Sequence, residues 1–237
     1  MHHCGATISI ITNEIISIKI LAFIFAVGTT LFVFLISKNT LKKNSTFIIL
    51  VGMNINYLVT SIVSLLMIVN RQQLDKIVFW TLGGFAASNW SFVLILAIIV
   101  IPTSLLISIH GKYMNAIALD EKTAKSVGIN TNLFKAFIII STCLITATCV
   151  SVSGIIGFVG LMIPHIVRLI FTNNYKYLII LSGICGGIFL LLSDNIARTI
   201  MMPSEVPIGI ITSIIGAPYL IYLIYKKYSA SKGENYE

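Results

Sequence analysis

Charge is scarce in this chain. Of 237 residues only 10% are Asp, Glu, Lys or Arg, against 57% hydrophobic, and the mean hydropathy is +0.98. A soluble domain of this length keeps most of its surface wet, so that balance excludes one. Acidic residues are rarest, eight against sixteen Lys and Arg, leaving a net charge of +8. Basic loops of a membrane protein account for that excess without a nucleic-acid partner. There is no G-x-x-x-x-G-K-[ST] loop to cradle phosphates, and no H-E-x-x-H or G-x-S-x-G motif, so the chain is read neither as an ATPase nor as an enzyme of those kinds. Cys143, Cys149 and Cys185 lie in apolar runs without C-x-x-C spacing and read as packing residues. His2, His3 and Cys4 lack a partner cluster, so no metal site is expected.

What is present is a series of long apolar runs, each sufficient for a helical span of about 20 residues. Seven are read: Ile15 to Ser37, Thr46 to Val69, Phe92 to His110, Phe134 to Val152, Gly154 to Phe171, Tyr177 to Arg198 and Val206 to Tyr225. The fourth and fifth nearly touch, which calls for a tight turn through Ser151, Ser153 and Gly154. Uninterrupted runs such as LAFIFAV and FVLILAIIVI favour helices over the alternating strands of a barrel. Placing the C-terminus in the cytoplasm gathers Lys38, Lys42, Lys43, Lys112, Lys122, Lys125, Lys135, Arg168, Lys176, Lys226, Lys227 and Lys232, 12 of the 16 basic residues, on that side. The opening MHHCGATISIIT has no basic start, apolar core or cleavage site of a signal peptide, and a seven-span bundle that starts outside predicts a missing upstream part.

Several segments depart from plain lipid-facing sequence. Residues 70–90, NRQQLDKIVFWTLGGFAASNW, carry Trp80 and Trp90 around Gly83-Gly84 and read either as a short interfacial helix that re-enters or as a loop with aromatic anchors. Residues 110–135 form a long polar stretch that reads either as a solvated loop or as two short helices, with Asp120 near an N-cap, Ala124 on one face and Gly128 as a left-handed stop. In GIIGFVGLMIPHIVR, Gly154, Gly157 and Gly160 are read as helix-packing positions, Pro164 as a kink, and His165 with Arg168 as its polar cytoplasmic end. In LLSDNIARTI, Asp194 and Arg198 are four apart in the favourable order for an ion pair, with Glu205 following; they pin two helices or offer a charged spot to a partner.

FWTLGGFAASNW, ALDEKTAKSVGI, GIIGFVGLMIPHIVRLI, LLSDNIARTI and EVPIGIITSIIGAPYLIYL, in that order, resemble consecutive blocks of the FecCD-type permeases, membrane subunits of ATP-driven importers for iron-siderophore complexes, haem and cobalamin. The resemblance implies an all-α polytopic membrane protein forming one permease domain over residues 1–237. Its seven spans would match the fourth to tenth of ten, with CGATISII as the end of the third. It implies a place in the cell (cytoplasmic) membrane. It further implies cytoplasmic ATP-binding subunits that hold ATP and magnesium, an extracellular or periplasmic binding protein, a second permease as homo- or heterodimer partner, and no cofactor on this chain.

The same resemblance implies a coupling loop at 111–133, with Leu119, Asp120, Glu121, Ala124, Lys125 and Gly128 facing the ATPase; Asp120 replaces a usual glycine and Val127 a usual leucine. It implies binding-protein docking at Arg198, and Glu205 is read as the residue that holds this arginine. GMNINYLVTS resembles a pathway-lining helix, with Asn54 and Asn56 as polar groups of which at most one faces the path. Two rivals are an intramembrane enzyme using His165 with Asp194, disfavoured because the two lie near opposite membrane faces, and a nonfunctional permease remnant.

Overall fold

A computed structural model describes residues 23–25, 27–28, 45–86, 88–202 and 205–233. The described residues are helical with no strand. Nine α-helices follow one another among them: α1 Ser45–Val69, α2 Leu74–Leu82, α3 Trp90–Ile109, α4 Gly111–Leu119, α5 Glu121–Ser126, α6 Thr131–Ser153, α7 Val159–Ile170, α8 Tyr175–Thr199 and α9 Ile208–Gly233. A single 3-10 turn, Arg71–Gln73, links α1 to α2. Five of these, α1, α3, α6, α8 and α9, are long and apolar enough to cross a membrane. The expected span Ile15 to Ser37 falls almost entirely outside the described residues.

One expected span is corrected. Gly154 to Phe171 is not a single crossing helix, because α7 has only 12 residues, about 18 Å at 1.5 Å per residue. The expected turn is corrected with it: Ser151 and Ser153 close α6, and the break runs from Gly154 through Phe158. Gly154 caps α6 at φ +68°, a backbone region that suits glycine. Phe158 then adopts φ +66°, the sole described non-glycine residue with positive φ, and Val159 N donates to Gly157 O at 2.8 Å. That i to i+2 bond around a positive φ is a γ-turn of the strained kind.

The described chain divides into two compact units. The first holds the described residues up to Thr81, with Ala86–Thr103 and Gly128–Ile155. In it, α2 folds back on α1, and Ile77, 1% exposed, packs with Val59 and Val63 beside Met67. The second holds Leu82–Phe85, Ser104–Val127 and the described residues from Ile156 onward. Its core is α7 against α8 and α9: Met162, Ile163 and Val167 join Leu178, with Val159, Ile166, Phe189 and Tyr219 packed around them. Positions 159, 162, 163, 166 and 167 follow helical spacing, so even this wholly apolar segment has a buried stripe, while Leu161, Leu169 and Ile170 point outward. At the other end of α8, Ala197 packs with Ile208, Ile211, Phe85 and Leu190, and Ile208 N donates to Gly83 O at 3.1 Å where Gly83 has φ +70°.

The γ-turn is locked by a notch in α9. A Cβ at Gly216 would lie 2.3 Å from Phe158 Cβ and 2.8 Å from its Cγ, so only glycine admits the ring stem. Replacing Gly216 with Ala should therefore destabilise the second unit by about 1–3 kcal/mol, as overpacking does. A thermal melt of the detergent-purified chain checks this. Gly187→Ala, at a site with open space, should leave the melt nearly unchanged.

Candidate functional site

The polar stretch after α3 is built as two short helices, α4 and α5, rather than as a loop. Six residues cannot sustain a helix by propensity, so the caps of α5 matter. Asp120 sits extended at its N-cap, and its carboxylate accepts from Lys122 N at 3.3 Å, Thr123 N at 3.0 Å and Thr123 Oγ1 at 2.8 Å. Three donors on one carboxylate fix the first turn. The helix ends at Gly128, whose φ of +85° supplies the left-handed stop. Ala124 is 1% exposed, whereas Leu119 and Val127, the apolar residues flanking α5, are 88% and 76% exposed. Lys125 is exposed on the same short helix.

The base of α4 is clamped to the start of α8. Gly111 is buried, and a Cβ there would lie 2.7 Å from Lys176 N and 2.8 Å from its Cα, so the two backbones touch. Ser108 Oγ donates to Lys176 O at 2.8 Å. Asn115 accepts from Tyr175 N at 3.0 Å through Oδ1, and donates through Nδ2 to Asn174 Oδ1 at 3.1 Å. Asn174 is itself the N-cap of α8, accepting from Lys176 N at 3.0 Å. Nothing in the sequence pairs Asn115 with Asn174, which are 59 residues apart.

Asp194 and Arg198 form the ion pair that their spacing predicts, Arg198 Nε donating to Asp194 Oδ2 at 2.8 Å. Glu205 Oε1 lies 3.9 Å from Arg198 Nη1, a looser second partner. Asp194 is thus the residue that aims this arginine, and the i, i+4 spacing was its signal. The guanidinium side chain remains 44% exposed, so the pair orients the group without burying it.

On α1, Asn54 and Asn56 are both exposed. Asn54 Nδ2 donates to Leu50 O at 2.9 Å, and the backbone carbonyl of Asn56 accepts from Thr60 Oγ1 at 2.9 Å. A groove of about 520 Å³ runs along Tyr57, Thr60, Ser61 and Ser64 toward Val69. Asn54, three residues before Tyr57, belongs to this face, while Asn56 is turned well away from it. The hydroxyl residues at helical spacing mark this stripe in the sequence, beyond the two expected asparagines.

The glycine block needs a second correction. Gly154 and Gly157 lie outside any helix, so the three glycines do not form one packing face, and a Cβ at Gly157 or Gly160 would meet nothing within 4 Å. Pro164 lies inside α7, where it removes one backbone donor. His165 and Arg168 do not pair: the imidazole meets Tyr219 edge-on with ring centroids 6.5 Å apart, and the Arg168 guanidinium lies 4.9 Å from the centre of the Tyr175 ring. With His165 on Tyr219 and Asp194 on Arg198, the two residues of a hypothetical catalytic pair have separate partners. His2, His3 and Cys4 lie outside the described residues.

Comparison with known proteins gives a consistent picture. A family model for the FecCD transport family matches residues 2–226. The chain is 36% identical over 206 residues to the molybdate import system permease protein MolB of Haemophilus influenzae, covering 86% of this chain and 60% of that protein. It is 35% identical over 185 residues to the Fe(3+)-citrate import system permease protein YfmD of Bacillus subtilis, covering 78% and 53%. A solved structure described as an inward-facing metal-chelate type ABC transporter superposes with a TM-score of 0.85 at 33% identity, covering 95% of this chain and 72% of the other. The chain thus spans a little over half the length of those two permeases.

The cap on α5 yields a direct expectation. Asp120→Ala should cost about 1 kcal/mol of local helix stability. Hydrogen exchange of the Lys122 and Thr123 amides should accelerate several-fold while the amides of α8 keep their protection.

Proposed function

The chain belongs to the FecCD transport family, and on that footing we propose that it serves as the membrane-spanning permease subunit of an ATP-driven importer, with ATP and magnesium held by a separate cytoplasmic subunit. It works beside a second permease, receives cargo from an extracellular or periplasmic binding protein, and lies in the cytoplasmic membrane with its C-terminus inside. The single permease domain and the coupling loop at 111–133 are part of this reading. The cargo is proposed to be a ferric chelate of the siderophore class, a reading supported by the ferric-citrate permease and the metal-chelate transporter among the similar proteins.

The observation that carries this reading is the α4–α5 segment. ATP-driven closure of a partner must be passed on by a small surface element that keeps its shape. α5 has that character: capped by Asp120, stopped by Gly128, with Ala124 buried and Leu119, Val127 and Lys125 turned outward. The backbone contact between Gly111 and Lys176 ties α4 to a membrane-crossing helix, so a push on α5 has a stiff route into α8. Glu121, the first residue of α5, belongs to this proposed surface. At the other end of α8, the aimed and exposed Arg198 suits the docking of an acidic group on the binding protein, where charge sets orientation and on-rate more than affinity. The Asn54 to Ser64 face of α1 is the proposed polar lining of the path.

A second reading, molybdate as cargo, is favoured by the 36% identity to the molybdate permease. Uptake of radiolabelled ferric-siderophore and of labelled molybdate by cells with and without the gene separates the two. Loss of ferric-chelate uptake alone supports the proposal, and loss of molybdate uptake alone overturns the cargo assignment.

Two variants examine the roles. Gly128→Val should retain binding of the ATPase partner while cutting substrate-stimulated ATP hydrolysis about tenfold or more, because a β-branched residue opposes the positive φ that ends α5. Unchanged stimulation would remove the coupling role. Arg198→Glu should weaken binding-protein docking at low salt and less so at high salt, and an equal affinity at both salt levels and in both proteins would count against the docking role.

A further inference from the structure

The clamp between α4 and α8 leaves a groove of about 410 Å³ on its outer side, lined by Ile109, His110, Lys112, Tyr113, Asn115, Asn174 and Lys176. We propose that this groove binds the phosphate of an anionic phospholipid, with Lys112 and Lys176 as its anchors. The proposal rests on the chain's spanning a membrane and not on its role in an importer.

Charge comes first. Two lysines line the groove and no carboxylate does. Their nearest aromatic neighbours are the rings of Tyr113 and Tyr177, with ammonium to centroid distances of 5.1 and 5.6 Å. Neither lysine forms an ion pair among the described residues. The floor between them is rigid and already satisfied. Asn115 and Asn174 spend their carbonyl oxygens on the first amides of α8, and His110 Nδ1 donates to Leu106 O at 2.8 Å. A preformed basic recess with a fixed floor suits a phosphodiester held by two ammonium groups as point charges.

Position selects the lipid over other anions. α3 ends at Ile109 and α8 begins at Tyr175, so the groove lies where two membrane-crossing helices leave the apolar layer. Tyr113, Tyr175 and Tyr177, each with a cation over its ring, mark headgroup depth. From the residue after Lys176 onward, Tyr177, Ile180, Ile184 and Ile188 stand exposed along one face of α8 at three- to four-residue spacing, and Ile109 in the groove lining is exposed as well. That is an apolar track of the kind an acyl chain follows, starting at the turn of α8 that carries Lys176. Basic pockets at the ends of membrane helices bind acidic headgroups on this chemistry, whereas free phosphate would have no use for the track.

The test is native mass spectrometry of the purified full chain after exposure to phosphatidylglycerol or to phosphatidylcholine with the same acyl chains. Phosphatidylglycerol should be retained about fivefold better, in keeping with attraction by two lysines. Lys112→Gln with Lys176→Gln should abolish that preference, and Lys112→Arg with Lys176→Arg should keep it. Equal retention of the two lipids by the unsubstituted chain overturns the proposal, as does an undiminished preference in the glutamine variant. Complete displacement of lipid by millimolar inorganic phosphate would reassign the site to the free anion. Loss of the ATPase partner from the glutamine variant with lipid preference intact would make the groove a protein contact instead. Should the glutamine variant fail to fold, photoreactive phosphatidylglycerol on the unsubstituted chain decides: crosslinks at Ile109, Ile180 or Ile184 support the site, and crosslinks confined elsewhere overturn it.

Discussion

In hydrocarbon no water is available to satisfy a peptide group, and this chain is organised around that constraint. Long apolar runs become helices because a helix pairs each backbone group within itself. The same economy governs the side chains. Thr60, Ser61, Ser64, Thr142, Thr146, Ser193 and Thr199 each return a hydroxyl proton to the carbonyl four residues back, so a polar group can sit on a membrane helix without a partner helix. Interruptions of the helices are correspondingly few and heavily supported. Gly83 gives its carbonyl to Ile208, Gly128 ends a capped turn, and Phe158 holds its γ-turn because Gly216 leaves room for its ring.

Supported breaks fall next to two of the regions proposed to work, Arg198 and the α4–α5 segment. Gly83 and Ile208 fix the end of α8 that carries Arg198, through the packing of Ala197 on Ile208. Gly111 and Gly128 bracket α4 and α5. The Phe158 turn starts the short helix α7, which is held between α8 and α9 by its buried stripe and by the contact of His165 with Tyr219. α8 is the common member, clamped at its start to α4 and packed along its length with α7 and α9. The proposed permease role, passing movement from one membrane face to the other, calls for such a stiff element with partner-facing pieces at its ends.

Many large apolar side chains on α1, α3 and α8 remain exposed, including Leu65, Ile98, Ile184 and Leu191. Helices of a soluble protein with that surface would aggregate. Here lipid tails and, in the proposed assembly, neighbouring subunits are the natural cover, in keeping with the thin internal burial of the five membrane-crossing helices.

The sequence by itself determined the class, all but one of the testable span positions to within a few residues apart from the far end of α9, and the Asp194–Arg198 pair, and it offered the Asp120 cap and the Gly128 stop as one of two readings of residues 110–135. Each is a local property: hydropathy over twenty residues, a capping side chain two or three residues from its donors, charges one helical turn apart. The tertiary structure decided what depends on residues distant in the chain. It shortened the Gly154 to Phe171 span, because the turn at Phe158 is permitted by a glycine 58 positions later. It moved Gly154 and Gly157 from a packing face to a break, and set His165 and Arg168 on different tyrosines. It also joined Gly111, Asn115 and Asn174 into one clamp, since the close approach of two backbones leaves no periodic trace in the sequence of either.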